Sequence, residues 1–141
     1  MTRANNDSSE WFEKIPLVAA AFVDFVPKKY RKRLDYSEKS ITYLDKIVDE
    51  WHGPDGPSRE NIETMIWAYG CYIAEILRRN YDGDWKKNDD GTCYFEGESA
   101  GVSPWNWMAK RFDSGPSEAI EAKYVLAQSL LSDCRKAAPL S

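Results

Sequence analysis

Three features of this 141-residue chain predict a mainly helical α+β fold. Apolar residues recur at three- and four-residue spacing in several segments separated by Gly/Pro turns, which is the period of an amphipathic helix. Only the stretch flanking Asn88-Asp89-Asp90-Gly91 shows the two-residue alternation of a hairpin. The length suits one domain, enough to bury roughly 70% of the surface its unfolded form exposes. The expected arrangement is a single domain over 1–141. It has about five helices around a central helix at 59–80, and one small β-hairpin at 85–96.

Residues 1–7 are polar and are expected to be a disordered N-terminus. A first helix is expected after Ser8 or Ser9, because Trp11, Ile15, Val18, Phe22 and Phe25 form one stripe. Pro16 offers the alternative of a short turn and a helix that begins at the proline, ending in either case by Pro27. The run Lys28-Lys29-Tyr30-Arg31-Lys32-Arg33 reads as a solvated link between helices, or else as a contact for phosphate or an acidic partner. Ser37 is the expected N-cap of a second helix whose apolar face is Ile41, Leu44, Ile47, Val48 and Trp51, stopped by His52-Gly53. After the turn 52–57, Ser58 is expected to cap the central helix.

Beyond Asp82-Gly83 the hairpin is expected to put Tyr94 and Glu96 on one side of its second strand and Cys93 and Phe95 on the other. Ser103-Pro104 then pairs an N-cap with a proline at the first helical position, opening a helix that aligns Trp105, Met108, Ala109 and Phe112. After the breaker 113–116, a last helix from near Ser117 aligns Ile120, Tyr124, Ala127, Leu131 and Cys134 before Pro139.

The central helix carries two oddities. Its main apolar sector, roughly 160° wide, gathers Ile62, Met65, Ile66, Tyr69, Tyr72, Ile73, Ile76 and Leu77. The opposite side holds Trp67, Ala68, Cys71 and Ala74 in place of polar residues, so the helix is expected to be covered on most of its circumference. Gly70 costs about 1 kcal/mol in helix propensity relative to alanine, and the expected return is close approach by a neighbouring backbone or ring. Glu75 lies on that far side. It is expected either to pair with a cation, Arg79 being the nearest local one, or to face a pocket with a raised pKa as a general base.

The order YSEKSITYLDKIV, GCYIAEILRRNYDGDW, aromatic hairpin strand and proline-led helix ending in KRFDSG resembles an uncharacterised bacterial family of small domains of unknown function. The family pattern corresponds here to Gly70, Tyr72, Glu75, Gly83, Trp85, Pro104, Lys110 and Gly115, within a resemblance spanning about residues 36 to 131. Ala74 and Asp84 depart from it, each standing where the family has a glycine. The resemblance implies no particular reaction.

Composition narrows the function classes. Hydrophobic residues make up 43% and charged residues 30%, which suits a packed globular chain. The net charge of -4 disfavours a dedicated nucleic-acid binder, leaving Lys28, Lys29, Arg31, Lys32 and Arg33 as the only basic concentration. Three cysteines without a close pair suit reduced thiols and a cytoplasmic location. The apolar run 15–26 is broken by Asp24, so no export signal, no membrane anchor and no membrane partner are expected.

One histidine and no Cys-x-x-Cys make a zinc site unexpected, and the acidic run 82–91 lacks the glycine placement of a calcium loop. No cofactor is expected, and neither a serine-hydrolase elbow nor a phosphate loop is present. A Cys-His dyad could use only His52, and Glu75 could pair with Glu96 or Glu98 only across a cleft.

The first functional expectation is therefore a non-enzymatic protein-binding module, immunity-like in neutralising a toxin or effector. Its binding residues are expected to be Trp85, Trp105, Trp107, Glu75 and Arg79. Trp105 and Trp107 carry this reading, because residues two apart on a helix cannot both face one core, so one should be exposed or cover another element. The alternative is a hydrolase or small-ligand enzyme with Glu75 as catalytic base.

Overall fold

The structure is a computed structural model and describes residues 11–137. The expectations for 1–7, for a helix start at Ser8 or Ser9 and for Pro139 lie outside the described residues. Within them are five α-helices, α1 (Ile15–Phe25), α2 (Thr42–Ile47), α3 (Ile62–Asn80), α4 (Pro104–Ser114) and α5 (Ile120–Leu130). A three-stranded antiparallel sheet of β1 (Asp84–Lys87), β2 (Cys93–Glu96) and β3 (Gly101–Val102) completes the mainly helical α+β fold.

The second alternative holds at the start. Trp11–Lys14 is a 3-10 turn, and Pro16 sits in the first turn of α1, where its missing N–H leaves no bond unmade. Ile15, Ala19 and Phe22 face inward. Phe25 does not: the helix ends there, Val26 turns extended and takes the inward place, and the phenyl ring is left 74% exposed. The basic run 28–33 is a 3-10 segment fastened by the buried ring of Tyr30, whose hydroxyl donates to Glu50 at 2.5 Å.

Ser37 caps as expected, its hydroxyl accepting from the Ser40 amide at 3.2 Å. The second apolar face nevertheless runs through three kinds of turn, 3-10 over Glu38–Ile41, α2, and a π turn over Val48–His52 that Gly53 ends at φ 79°. Ile41, Leu44, Ile47 and Val48 are buried on it, and Trp51 is half-buried. Ser58 is not the cap of the central helix. It opens a turn in which the Asn61 amide donates to the Ser58 carbonyl and the Asn61 side chain donates to the Ser58 hydroxyl, so α3 begins only at Ile62.

Helix α3 is the axis of the fold, with every residue from Tyr69 to Leu77 buried. Helices α1 and α4 make its broadest contacts. At Gly70 the close neighbour is the Trp105 ring of α4, and a Cβ there would stand 2.1 Å from its Cδ1. Such an approach is open only to glycine.

The hairpin pairs Trp85 with Phe95 and Lys87 with Cys93, with Phe95 buried on one face and Glu96 exposed on the other. β3 adds Val102 opposite Phe95. At two residues it is too short for alternation to reveal it. Ser103 caps α4, its hydroxyl accepting from the Asn106 amide. The last helix starts at Ile120 rather than near Ser117, since Gly115–Glu118 is a 3-10 turn.

Two polar devices hold α5. At its start the Asp45 carboxylate accepts from the Ile120 and Glu121 amides, and also from the guanidinium of Arg111, which bonds Asp49 as well. After its end the chain clasps the end of α3: Asp82 donates to the Cys134 carbonyl, and Lys136 to that of Asn80. Glu38 braces this clasp by accepting from Tyr81, Tyr124 and Arg135. No helix among the described residues is long and apolar enough to cross a membrane.

Gly70→Ala is expected to destabilise the protein by about 2 kcal/mol in urea denaturation, overpacking against Trp105 outweighing the propensity gain. The loss should shrink in a Trp105→Leu background. Asp45→Ala is expected to cost about 3 kcal/mol in the same measurement, because it uncaps α5 and removes a partner from the buried Arg111.

Candidate functional site

Helix α4 lies between two packed layers, which settles the position of its tryptophans. Trp105 enters an aromatic cluster on α3, stacked on Trp67 at 5.4 Å between ring centroids and edge-on to Trp85 and Trp11 at 5.7 and 5.9 Å. Trp107 points the other way and meets Tyr124 of α5 edge-on. Both are buried, with 7% and 9% exposure. Of the two alternatives, exposure or cover of another element, the second holds: neither ring is exposed, and each covers a different element.

Between them Asn106 is exposed, and a groove runs on each side of it. One, of about 470 Å³, is bordered by Glu63, Ile66, Trp67, Cys93 and Trp105. The other, of about 360 Å³, is bordered by Tyr94, Trp107, Lys123, Leu126 and Leu130. Asn106 and Thr92 border both, so the two form one continuous surface. Two apolar side chains stand at its outer rim, Leu126 at 58% and Leu130 at 43% exposure. Trp85 packs against Phe95 at 4.9 Å and borders neither groove.

The rim was not among the expected binding residues. Reading α5 for a single stripe hides a second one, Leu126 and Leu130 at i and i+4, flanking the stripe of Ile120, Tyr124 and Ala127. Trp67 stands in the sequence only as an apolar residue opposite the main stripe of α3, and its place in the site depends on the Trp105 ring that stacks on it.

Glu75 and Arg79 do come together, though not at this surface. The buried Glu75 carboxylate accepts two bonds from Arg78, at 2.8 and 2.6 Å, and a third from Arg79 at 3.1 Å. Arg78 is therefore the main partner, at i+3, in a bidentate fork. Arg79 also lies over the Tyr36 ring, 4.0 Å from its centroid. Burial pushes the Glu75 carboxyl up, but the hydrogen bonds and charges of the two arginines outweigh it and hold the group below the usual carboxylate range. That is the reverse of the raised pKa a general base requires, and Glu75 borders neither groove.

His52 bonds the Tyr69 hydroxyl at 2.9 Å through Nε2 and stacks on Trp51, while burial pushes its pKa down. Its ring nitrogen is engaged by a tyrosine rather than a cysteine. Burial also pushes the Cys71 thiol up to about 12, against the opposing effect of the Trp105 indole. A third cleft, of about 650 Å³, runs between the 53–56 turn and the end of α4, with Asp49, Asp55 and Asp113 along it. Among the described residues no group of three or more His, Cys, Asp or Glu side chains is placed to hold a metal ion.

The chain matches no protein-family model and has no significant match among curated proteins or solved structures. Three of the motif positions noted above are packing points in this fold. Gly70 receives the Trp105 ring, the Tyr72 hydroxyl accepts from the Tyr36 amide, and a Cβ on Gly83 would stand 2.6 Å from the Glu96 carbonyl oxygen.

Acid should destabilise the fold in two stages. His52 has a depressed folded pKa, so its contribution is complete above the unfolded value of about 6.5 and declines below it, levelling once the folded group protonates. Glu75 and Glu38, also depressed, contribute fully above about 4.3 and lose that contribution as pH falls through their lower folded values. Thermal melts against pH should show both stages, with His52→Gln removing the upper and Glu75→Gln reducing the lower.

Proposed function

We propose that the protein is a non-enzymatic protein-binding module whose contact surface is the double groove astride Asn106. The observation that carries this reading is the exposed rim of Leu126 and Leu130 beside a groove floored by Trp107 and Tyr94. Large aliphatic side chains at the edge of an aromatic-floored cleft resemble the desolvated centre of a protein interface, in which fixed rings receive apolar side chains of the partner.

The partner chemistry is correspondingly an apolar segment with polar flanks, met by Asn106 and by Lys123, which pairs with Glu118 at 2.6 Å. Neutralisation of another protein by occupying such a segment is the immunity-like form of this activity. A cytoplasmic location belongs to the same proposal, supported by three cysteines that are all free thiols. Membership of the family resembled above is proposed with it, supported by the packing roles of Gly70, Tyr72 and Gly83.

The test is affinity capture from host lysate with the wild-type chain and with Leu126→Asp/Leu130→Asp, followed by binding measurements on the purified partner. The wild type should retain a specific protein, and the double variant should bind it at least about tenfold more weakly while keeping its helical circular dichroism. Equal binding by both would overturn the proposed surface.

A further inference from the structure

The outward face of α1 differs from that of the other helices. Leu17, Ala20, Ala21 and Phe25 are all exposed at helical spacing, and Asp24 is the only charge in the helix. Leu17 and Phe25, at 72% and 74%, are the most exposed large apolar side chains among the described residues. Three residues beyond Phe25 begins the 3-10 segment whose five cations are all exposed on a protein of net charge -4. Lys29 pairs with Glu50 and Arg33 donates to Tyr43, whereas Lys28, Arg31 and Lys32 have no anionic partner among the described residues. The buried ring of Tyr30 ties the segment to the folded body, so the fold itself holds the cations beside the end of α1.

We propose that this combined face docks on the surface of an anionic lipid bilayer. Leu17 and Phe25 enter the boundary between headgroups and acyl chains, and Lys28, Arg31 and Lys32 engage lipid phosphates. A bilayer surface is singled out because it uses both halves of the face at once. Nucleic acid would engage the cations and leave Leu17 and Phe25 idle in water. A second copy could cover the apolar stripe, but a helix of 11 residues is about 16 Å long and offers well under the roughly 800 Å² per partner of a stable interface, with the cations still unneutralised. The expectation of no membrane partner rests on the want of a spanning segment, and contact in the plane of the surface needs none. The face shares no residue with the grooves at Asn106, so it stands or falls separately from them.

Flotation of the full chain with vesicles of phosphatidylcholine containing about 30% phosphatidylglycerol tests the assignment, beside vesicles of phosphatidylcholine alone. Binding is expected on the anionic vesicles at about 0.1 M salt and should largely disappear at about 1 M, where screening is complete within about 3 Å. Lys28→Gln/Arg31→Gln/Lys32→Gln should lower partitioning about a hundredfold, at roughly fivefold per surface cation. Leu17→Ser/Phe25→Ser, which changes only exposed side chains, should lower it at least about tenfold with circular dichroism unchanged.

Equal binding to both vesicle types would overturn the proposal. So would binding of single-stranded RNA that the charge variant abolishes while vesicles stay unbound. A third contrary result is sedimentation velocity showing a dimer that Leu17→Ser/Phe25→Ser dissociates, with no vesicle binding by either form.

Discussion

The fold depends on one close approach, that of the Trp105 indole to the backbone of Gly70. With no Cβ in the way, the ring closes on α3 at Gly70 and brings α4 within reach of Trp67, Trp85 and Trp11. Seating α4 there turns Trp107 toward α5 and opens a groove on each side of Asn106. A glycine that weakens its own helix therefore sets the spacing of three layers. The loss in propensity is local, and the gain is an aromatic cluster holding four of the six tryptophans.

Charge is sorted in the same economical way. The two fully buried carboxylate and guanidinium groups are never alone: Glu75 is forked by Arg78 and reached by Arg79, and Arg111 is shared by Asp45 and Asp49. Pairing of this quality offsets the desolvation that would otherwise shift the groups toward neutrality. Neither set lies in the grooves at Asn106, whereas Asp49 and Arg111 also border the third cleft.

Much of this was legible in the sequence because periodicity reports burial. The stripes of α3 and α5, the caps at Ser37 and Ser103, the hairpin and the ring against Gly70 all follow from spacing and turn chemistry. Expectation failed where tertiary partners decide. Ser58 yields the cap position to Asn61, β3 is too short to carry a pattern, and Arg78 outcompetes Arg79 for Glu75 through fork geometry that spacing does not encode. The site was half visible. The two tryptophans two residues apart marked α4, but the rim of Leu126 and Leu130 emerges only when α5 is seen to bury one stripe and leave the other bare.

Helix α5 is pinned at both ends, by Asp45 on its first amides and by the clasp in which residues 134–136 grip the end of α3. A wall fixed in this manner has little freedom left to surrender when something settles against it. Under the proposed binding function, recognition at the groove would proceed as rigid docking, with the entropic toll of ordering falling on the incoming partner.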